Sequence, residues 1–474
     1  MVRAMTSSGF NSAAGAPAPA QSSAWRTEIV ETLWLAVPMA LTQLGQIAMM
    51  TTDLALIGRL GDTAVAAAAL AHTVLFLIFT MGLGLVSAVT PLAAQAVGAR
   101  APRQVRASLR VGLWAAVIAG VPLTLGQLFG EEMLLALGQD PMTSQLAGRY
   151  LDGLAWSLLP AWIFIALRGF MGAVNRPEPA LWIMLAAVPL NAVLAYALIH
   201  GAFGLPRLDI LGAGLATTLV SIAMCLAAAL VCATRQPFRK YRVFGELWQW
   251  DWPLMLRLLH LGLPISGASV LEYGVFGAAA LLMGKIGTTA LAAHQIALQV
   301  AAIMFMVPLG ISLAATVRVG HATGRDDVVA ARRAGFVAIG LGLAFMAAMT
   351  LLVALTRHAI PNLFLGESTT AAATAQLTAS LLVVGASFFM ADGLQVVANG
   401  ALRGRNDTRV PLLFATLGFW VIGFPCSYWL GFAAGLGPAG VWIGLAIGLA
   451  VYAALLVWRF HRLTRDARPV FSAA

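Results

Sequence analysis

About a dozen apolar runs, each twenty residues or longer and separated by short arginine-bearing connections, leave this chain of 474 residues few ways to fold. A helix that crosses a hydrocarbon core of about 30 Å needs about 20 apolar residues. In lipid, only helices and closed barrels satisfy all of their own backbone hydrogen bonds. The runs are unbroken, and the roughly ten-residue alternation of a barrel strand is not visible. The expected fold class is therefore an all-α integral membrane protein of twelve transmembrane helices. They are placed at about 29–57, 64–92, 106–130, 146–172, 180–201, 211–234, 254–285, 289–318, 332–356, 372–402, 410–431 and 438–460. Composition agrees: 10% of residues are charged, against about 25% in a soluble domain, which is too few to coat a water-facing surface.

Charge sets the orientation. Arg100, Arg103 and Arg106, Arg235 to Arg242, Arg318 to Arg333, Arg403 to Arg409 and Arg459 to Arg468 all fall on one side if the helices alternate. The positive-inside rule puts that side, with both termini, in the cytoplasm of a cell bounded by a bacterial inner membrane. Because the net charge of +10 is spread over these connections, no nucleic-acid partner is expected. Cys225, Cys232 and Cys426 all lie in apolar runs, without CxxC or Cys/His spacing, so they read as packing residues.

The chain repeats itself. GDTAVAA from Gly61 matches GTTALAA from Gly287, and the register continues without a gap through Gly84 and Gly310, Gly98 and Gly324, and Arg106 and Arg332. Farther on, ALRG at Ala166 to Gly169 returns at Ala401 to Gly404. Repeats six helices apart share one orientation, which implies two six-helix lobes related by a pseudo-two-fold axis along the membrane normal. The expected division is a disordered cytoplasmic tail over 1–28 and an N-terminal lobe over 29–234. A Trp-rich cytoplasmic linker follows over 235–253, then a C-terminal lobe over 254–460 and a cytoplasmic tail over 461–474.

Ionisable residues inside a span cost at least about 2.5 kcal/mol on insertion scales, so each is a functional candidate. Asp53, Glu272 and Asp392 are three such acids, with no Lys or Arg at helical spacing deep enough to neutralise them; Asp53 is the least deep. An unpaired membrane carboxylate can exchange a proton, help to hold Na⁺, or attract a cationic substrate. Gln43 and Gln46 share the face of Asp53, and Asn399 that of Asp392. Asn191 and Tyr196 are candidates to line a cavity, His294 reads as hydrogen-bonded or interfacial, and the 18 Met residues mostly as lipid contacts. HExxH, GxSxG, a Walker A loop and clustered His/Asp ligands are absent from the sequence, so neither an enzyme nor a cofactor nor ATP is expected.

LPISGASVLEYGVF around Glu272, TALAAHQIALQV around Gln295, and ADGLQVVANGALRGRNDTRVP from Ala391 to Pro411 together resemble the multidrug and toxic compound extrusion (MATE) family, its bacterial NorM-type branch in particular. The resemblance covers the chain after about residue 28. It implies a V-shaped pair of lobes, a monomer in lipid, that exports lipophilic, mostly cationic drugs and dyes in exchange for Na⁺ or H⁺. It further implies that Glu272 and Asp392 form the ion site and a possible Na⁺ ligand set, that Asp53 acts in the N-terminal lobe, and that Gln295 contributes to drug contact. Where some Na⁺-coupled relatives carry an aromatic hydroxyl one turn before the helix 10 acid, this chain has Phe388, so proton coupling stays open beside sodium. A lipid-linked saccharide flippase is the nearest rival. It would present a more cationic cavity, whereas the intramembrane charges legible here are acidic.

Overall fold

The computed structural model describes residues 21–365 and 371–465, and among these there is no strand. Eleven helices are long and apolar enough to cross a membrane, and a bent pair makes a twelfth span. They are α1 Ser23–Gly58, α2 Asp62–Gly98, α3 Pro102–Gln127, α4 (Pro141–Ala155 with Leu158–Ala173), α5 Glu178–His200 and α6 Asp209–Thr234. The second set is α7 Trp252–Ile286, α8 Thr288–Gly324, α9 Val328–Thr356, α10 Ala371–Gly404, α11 Arg409–Ala433 and α12 Gly437–Arg465.

Local chemistry explains the main departures from the expected boundaries. The chain is already helical at Gln21, inside the segment read as a tail over 1–28, because polar first turns need no apolar surface. Residues 461–465 likewise belong to α12, while 1–20 and 466–474 lie outside the described residues. α4 begins at Pro141, capped by Asp140, whose side chain accepts the Thr143 N–H at 2.9 Å. It bends by 45° between its two parts. Pro160 has no N–H for the Trp156 carbonyl and so cannot close the next turn there. α11 widens into π turns at Thr416–Gly423 and Trp429–Ala433, on either side of Pro425.

The buried apolar residues divide into two main groups with one exchange between them. The larger joins α8 to α12 with part of α7, and it also takes Leu35, Ala36 and Met39 from α1. The other joins parts of α2 to α6, and it takes Met255, Leu258 and Leu261 from α7. The first half of each lobe's leading helix thus packs in the other lobe's core.

The lobes meet along α1 with α8 and α2 with α7, and close most tightly where α2 and α8 end; we call this the basic end. Glycines permit the approach, because packing in lipid depends on how closely backbones can come. A Cβ on Gly98 would lie 2.2 Å from the His321 carbonyl oxygen, and one on Gly324 would lie 2.0 Å from that of Gln95. These glycines are partners in the sequence repeat, and so are Gln95 and His321, three residues before each. Gln95 Nε2 donates to the Gly404 carbonyl at 2.9 Å, and His321 Nε2 lies 2.7 Å from the Ala173 carbonyl, so each side chain caps the end of a helix in the opposite lobe. Arg318 adds a two-pronged ion pair to Glu28, at 2.8 and 2.9 Å, and a contact with Glu31. Among the described residues, no cross-lobe hydrogen bond, ion pair, ring contact or glycine contact joins 44–70 to 277–303. The cleft therefore opens away from the basic end.

Candidate functional site

α7 and α10 bring Glu272 and Asp392 together through a residue that sequence reasoning undervalued. Gln395 stands one turn after Asp392, almost wholly buried. Its Nε2 donates to Glu272 Oε1 at 2.9 Å and to Asp392 Oδ1 at 3.3 Å. One amide therefore spans both acids, and a cation between them would require it to turn its oxygen inward. Asn399, expected to share the face of Asp392, donates to the Tyr452 hydroxyl at 3.3 Å. Phe388 is buried among Phe276, Phe389 and Trp442 and walls the site with rings that offer no oxygen. His294, fully buried, accepts from Trp442 Nε1 at 3.1 Å, which makes it a core residue. Among the described residues, no three His, Cys, Asp or Glu side chains converge as metal ligands. The groups gathered here are two carboxylates and one amide.

Asp53, five residues before the end of α1, is buried within the N-terminal lobe, 4% exposed. Asn191 Nδ2 donates to its Oδ1, and Thr217 Oγ1 donates to its Oδ2 at 3.1 Å, so α1, α5 and α6 meet at this carboxylate. Beside it lies a cavity of about 230 Å³ lined by Gln46, Met49, Met50, Phe76, Tyr150 and Met224. Here some of the methionines read as lipid contacts do line a pocket. Thr217 and Tyr150 had no sequence signal, being ordinary residues of apolar helices.

A second cavity, about 160 Å³, lies between the lobes. Glu272, Gln395 and Asn399 face it, and so do Arg168 and Arg403. The expectation that intramembrane charge is acidic alone is thereby corrected. Arg403 had been counted among the connection charges, yet it is a residue of α10, and both arginines come from the repeated ALRG. The repeat was the signal that could have found them. Arg168 lines both cavities, and its Nη1 donates to Gln43 Oε1 at 2.6 Å. Gln295 is exposed on α8 and lines neither cavity, and Tyr196 is exposed and stacked on His200.

The MatE family model matches residues 38–197 and 264–429, stretches that contain Asp53, Glu272 and Asp392. A probable multidrug resistance protein NorM of Rhodopseudomonas palustris is 81% identical over 474 residues, covering 100% of both chains. One of Bradyrhizobium diazoefficiens is 61% identical, covering 92% of this chain and 94% of its own. The crystal structure of the eukaryotic MATE transporter AtDTX14 superposes with a TM-score of 0.83 at 21% identity, covering 94% of this chain and 99% of that one. An outward-facing MATE family transporter superposes at 0.83 with 20% identity, covering 93% and 97%.

Proposed function

Because this chain belongs to the MatE family and its relatives of 81% and 61% identity are named probable multidrug resistance proteins, we propose that it is a multidrug efflux antiporter that exchanges lipophilic cations for Na⁺ or H⁺. The observation that carries this reading is the pair Glu272 and Asp392, joined through Gln395, with Glu272 at the wall of a cleft that both lobes line. A proton or sodium ion arriving there neutralises the acids and loosens their hold on a cationic cargo. For exchange, ion and cargo must differ in affinity between the two arrangements of the lobes. A one-for-one exchange of monovalent cations moves no net charge, so it draws on the ion's concentration gradient, each tenfold of which, about 1.4 kcal/mol, sustains a tenfold cargo gradient. The basic end is the cytoplasmic one, so this arrangement faces outward, as a monomer of the inner membrane in lipid contact. Asp53 serves as a second acidic station in the N-terminal lobe, held by Asn191 and Thr217.

Ethidium efflux from proteoliposomes, with Na⁺ and pH gradients imposed separately, tests the proposal. Efflux should follow at least one of the two gradients, and the one it follows names the ion. Efflux under neither, with insertion confirmed, would sink the reading and favour the flippase, a rival that Arg168 and Arg403 support. Asp53→Asn keeps the side chain's shape but removes its charge. We expect it to lower ethidium export by about tenfold or more, the loss of one charge-assisted contact. Unchanged export by this variant would make Asp53 a packing residue.

A further inference from the structure

α5 and α6 run antiparallel, so the start of one lies beside the end of the other. Away from the basic end they touch closely: a Cβ on Gly212 would lie 2.6 Å from the Leu198 carbonyl oxygen. At the basic end they leave a cavity of about 760 Å³. One wall is Phe238 of the linker, buried against Phe170 with ring centroids 5.9 Å apart. The other walls are layered. Glu178 opens α5 and Trp182 follows one turn deeper, while Arg235 caps α6 and Val231 precedes it by one turn. Residues four apart share a helix face, so each helix turns one charge and one apolar side chain to the cavity, the charge outermost. Arg176, from the connection between α4 and α5, adds a second guanidinium to the charged rim.

This layering is that of a bilayer surface. Trp182 is 67% exposed, and tryptophan collects at the headgroup boundary. Deeper still, Leu185 on α5 and Leu226 and Leu230 on α6 continue the exposed face as apolar surface. The charges of the rim do not pair with one another. Among the described residues, the side chains of Arg176, Glu178 and Arg235 make no hydrogen bond and no ion pair. They stand around shared space, two positive and one negative. A simple anion there would leave Glu178 unmatched, and a simple cation would meet two guanidiniums. A headgroup that carries both signs matches all three. Guanidinium forks fit phosphate oxygens two at a time, and a primary ammonium offers a carboxylate three donors. Basic pockets between spans at the bilayer surface suit phospholipid headgroups.

We propose that this cavity is a phosphatidylethanolamine site in the leaflet at the basic end. The phosphate lies between Arg176 and Arg235, and the ammonium lies against Glu178. The acyl chains leave past Trp182 and Val231 along the apolar face. One lipid thereby ties the connection between α4 and α5 to the start of the linker. The cavity shares no lining residue with either cavity of the candidate functional site, so the lipid site stands independently of the efflux reading.

Native mass spectrometry of the full-length protein in detergent, titrated with dioleoyl phosphatidylethanolamine or dioleoyl phosphatidylglycerol, reads binding one lipid at a time. Phosphatidylethanolamine should bind about fivefold more tightly than phosphatidylglycerol, the effect of one matched charge near a membrane surface. Arg176→Gln and Arg235→Gln should each weaken phosphatidylethanolamine by about the same factor. Arg235→Lys, which keeps the charge, should lose less. Glu178→Gln should abolish the preference by weakening phosphatidylethanolamine without weakening phosphatidylglycerol. The lipid-free melting temperature of each variant, expected to match wild type, checks that these surface changes leave the fold intact. Phosphatidylethanolamine affinity unchanged in both Arg→Gln variants would overturn the site. Equal affinity for the two lipids, unaltered by Glu178→Gln, would assign the cavity to an anionic lipid and overturn the proposal. Displacement of the lipid by an equal concentration of soluble phosphorylethanolamine would assign it to a soluble compound and overturn the proposal too.

Discussion

Glu272→Gln and Asp392→Asn should each lower gradient-driven ethidium export by at least about 100-fold while leaving the protein inserted and folded. The reason is that exchange needs a group whose charge the coupling ion can cancel, and an amide has none to cancel. A coupling free energy of about 1–3 kcal/mol corresponds to about 5- to 150-fold in affinity, and losing it removes the linkage entirely rather than in part. Stability should change little. An amide oxygen at either position still accepts from Gln395 Nε2, so the bridge between α7 and α10 survives. The melting temperature should move by no more than a few degrees, about 1 kcal/mol for a domain of this size. The double variant should be no worse than either single one, since the acids act through one amide. Export within about twofold of wild type in both single variants would remove these acids from coupling.

Gly98→Ala and Gly324→Ala should each open the basic end. Each new methyl would meet a backbone oxygen at 2.2 or 2.0 Å, and backbone within a helix cannot turn aside as a side chain can. Overpacking of this kind costs about 1–3 kcal/mol. If the cost falls only on the arrangement seen here, its population relative to the alternative drops by about fivefold to over a hundredfold. Spin labels at the exposed, repeat-matched positions Arg103→Cys and Val329→Cys, in a background without Cys225, Cys232 and Cys426, would read this as a longer distance. The two substitutions should act alike, because the repeat makes them equivalent. A distance distribution and melting temperature that both match the parent would show that the seam yields at no cost.

What was legible in the sequence follows from which physical constraint each feature answers to. Membrane thickness forces apolar length, so the twelve spans could be counted, and the penalty on membrane charge made Asp53, Glu272 and Asp392 conspicuous. Gln395 was not conspicuous. A glutamine three residues from an acid has many uses, and only the crossing of α7 over α10 makes it a bridge. Arg403 was disguised by its place. An arginine near the end of an apolar run satisfies the topology rule whether it points to water or into a cleft. The bend of α4 was concealed because a proline in a span is tolerated as often as it breaks one. The exchange of α1 and α7 between cores was beyond reach, since apolar side chains suit lipid, their own lobe and the opposite lobe alike.

That exchange has a consequence for how the protein is made. The core of the lobe synthesised first includes Met255, Leu258 and Leu261, which belong to the helix that opens the second lobe. Domains made on a ribosome ordinarily fold as units, the leading one first. Here the leading lobe must wait in the membrane with one flank unfilled until the chain has grown past residue 261. The start of α1 must wait longer, for its partners in α8 to α12. Assembly of the two lobes is therefore a single event late in synthesis. A chain cut within 235–253 should yield two fragments that are inserted but loosely packed alone, and that recover transport only when made in the same membrane.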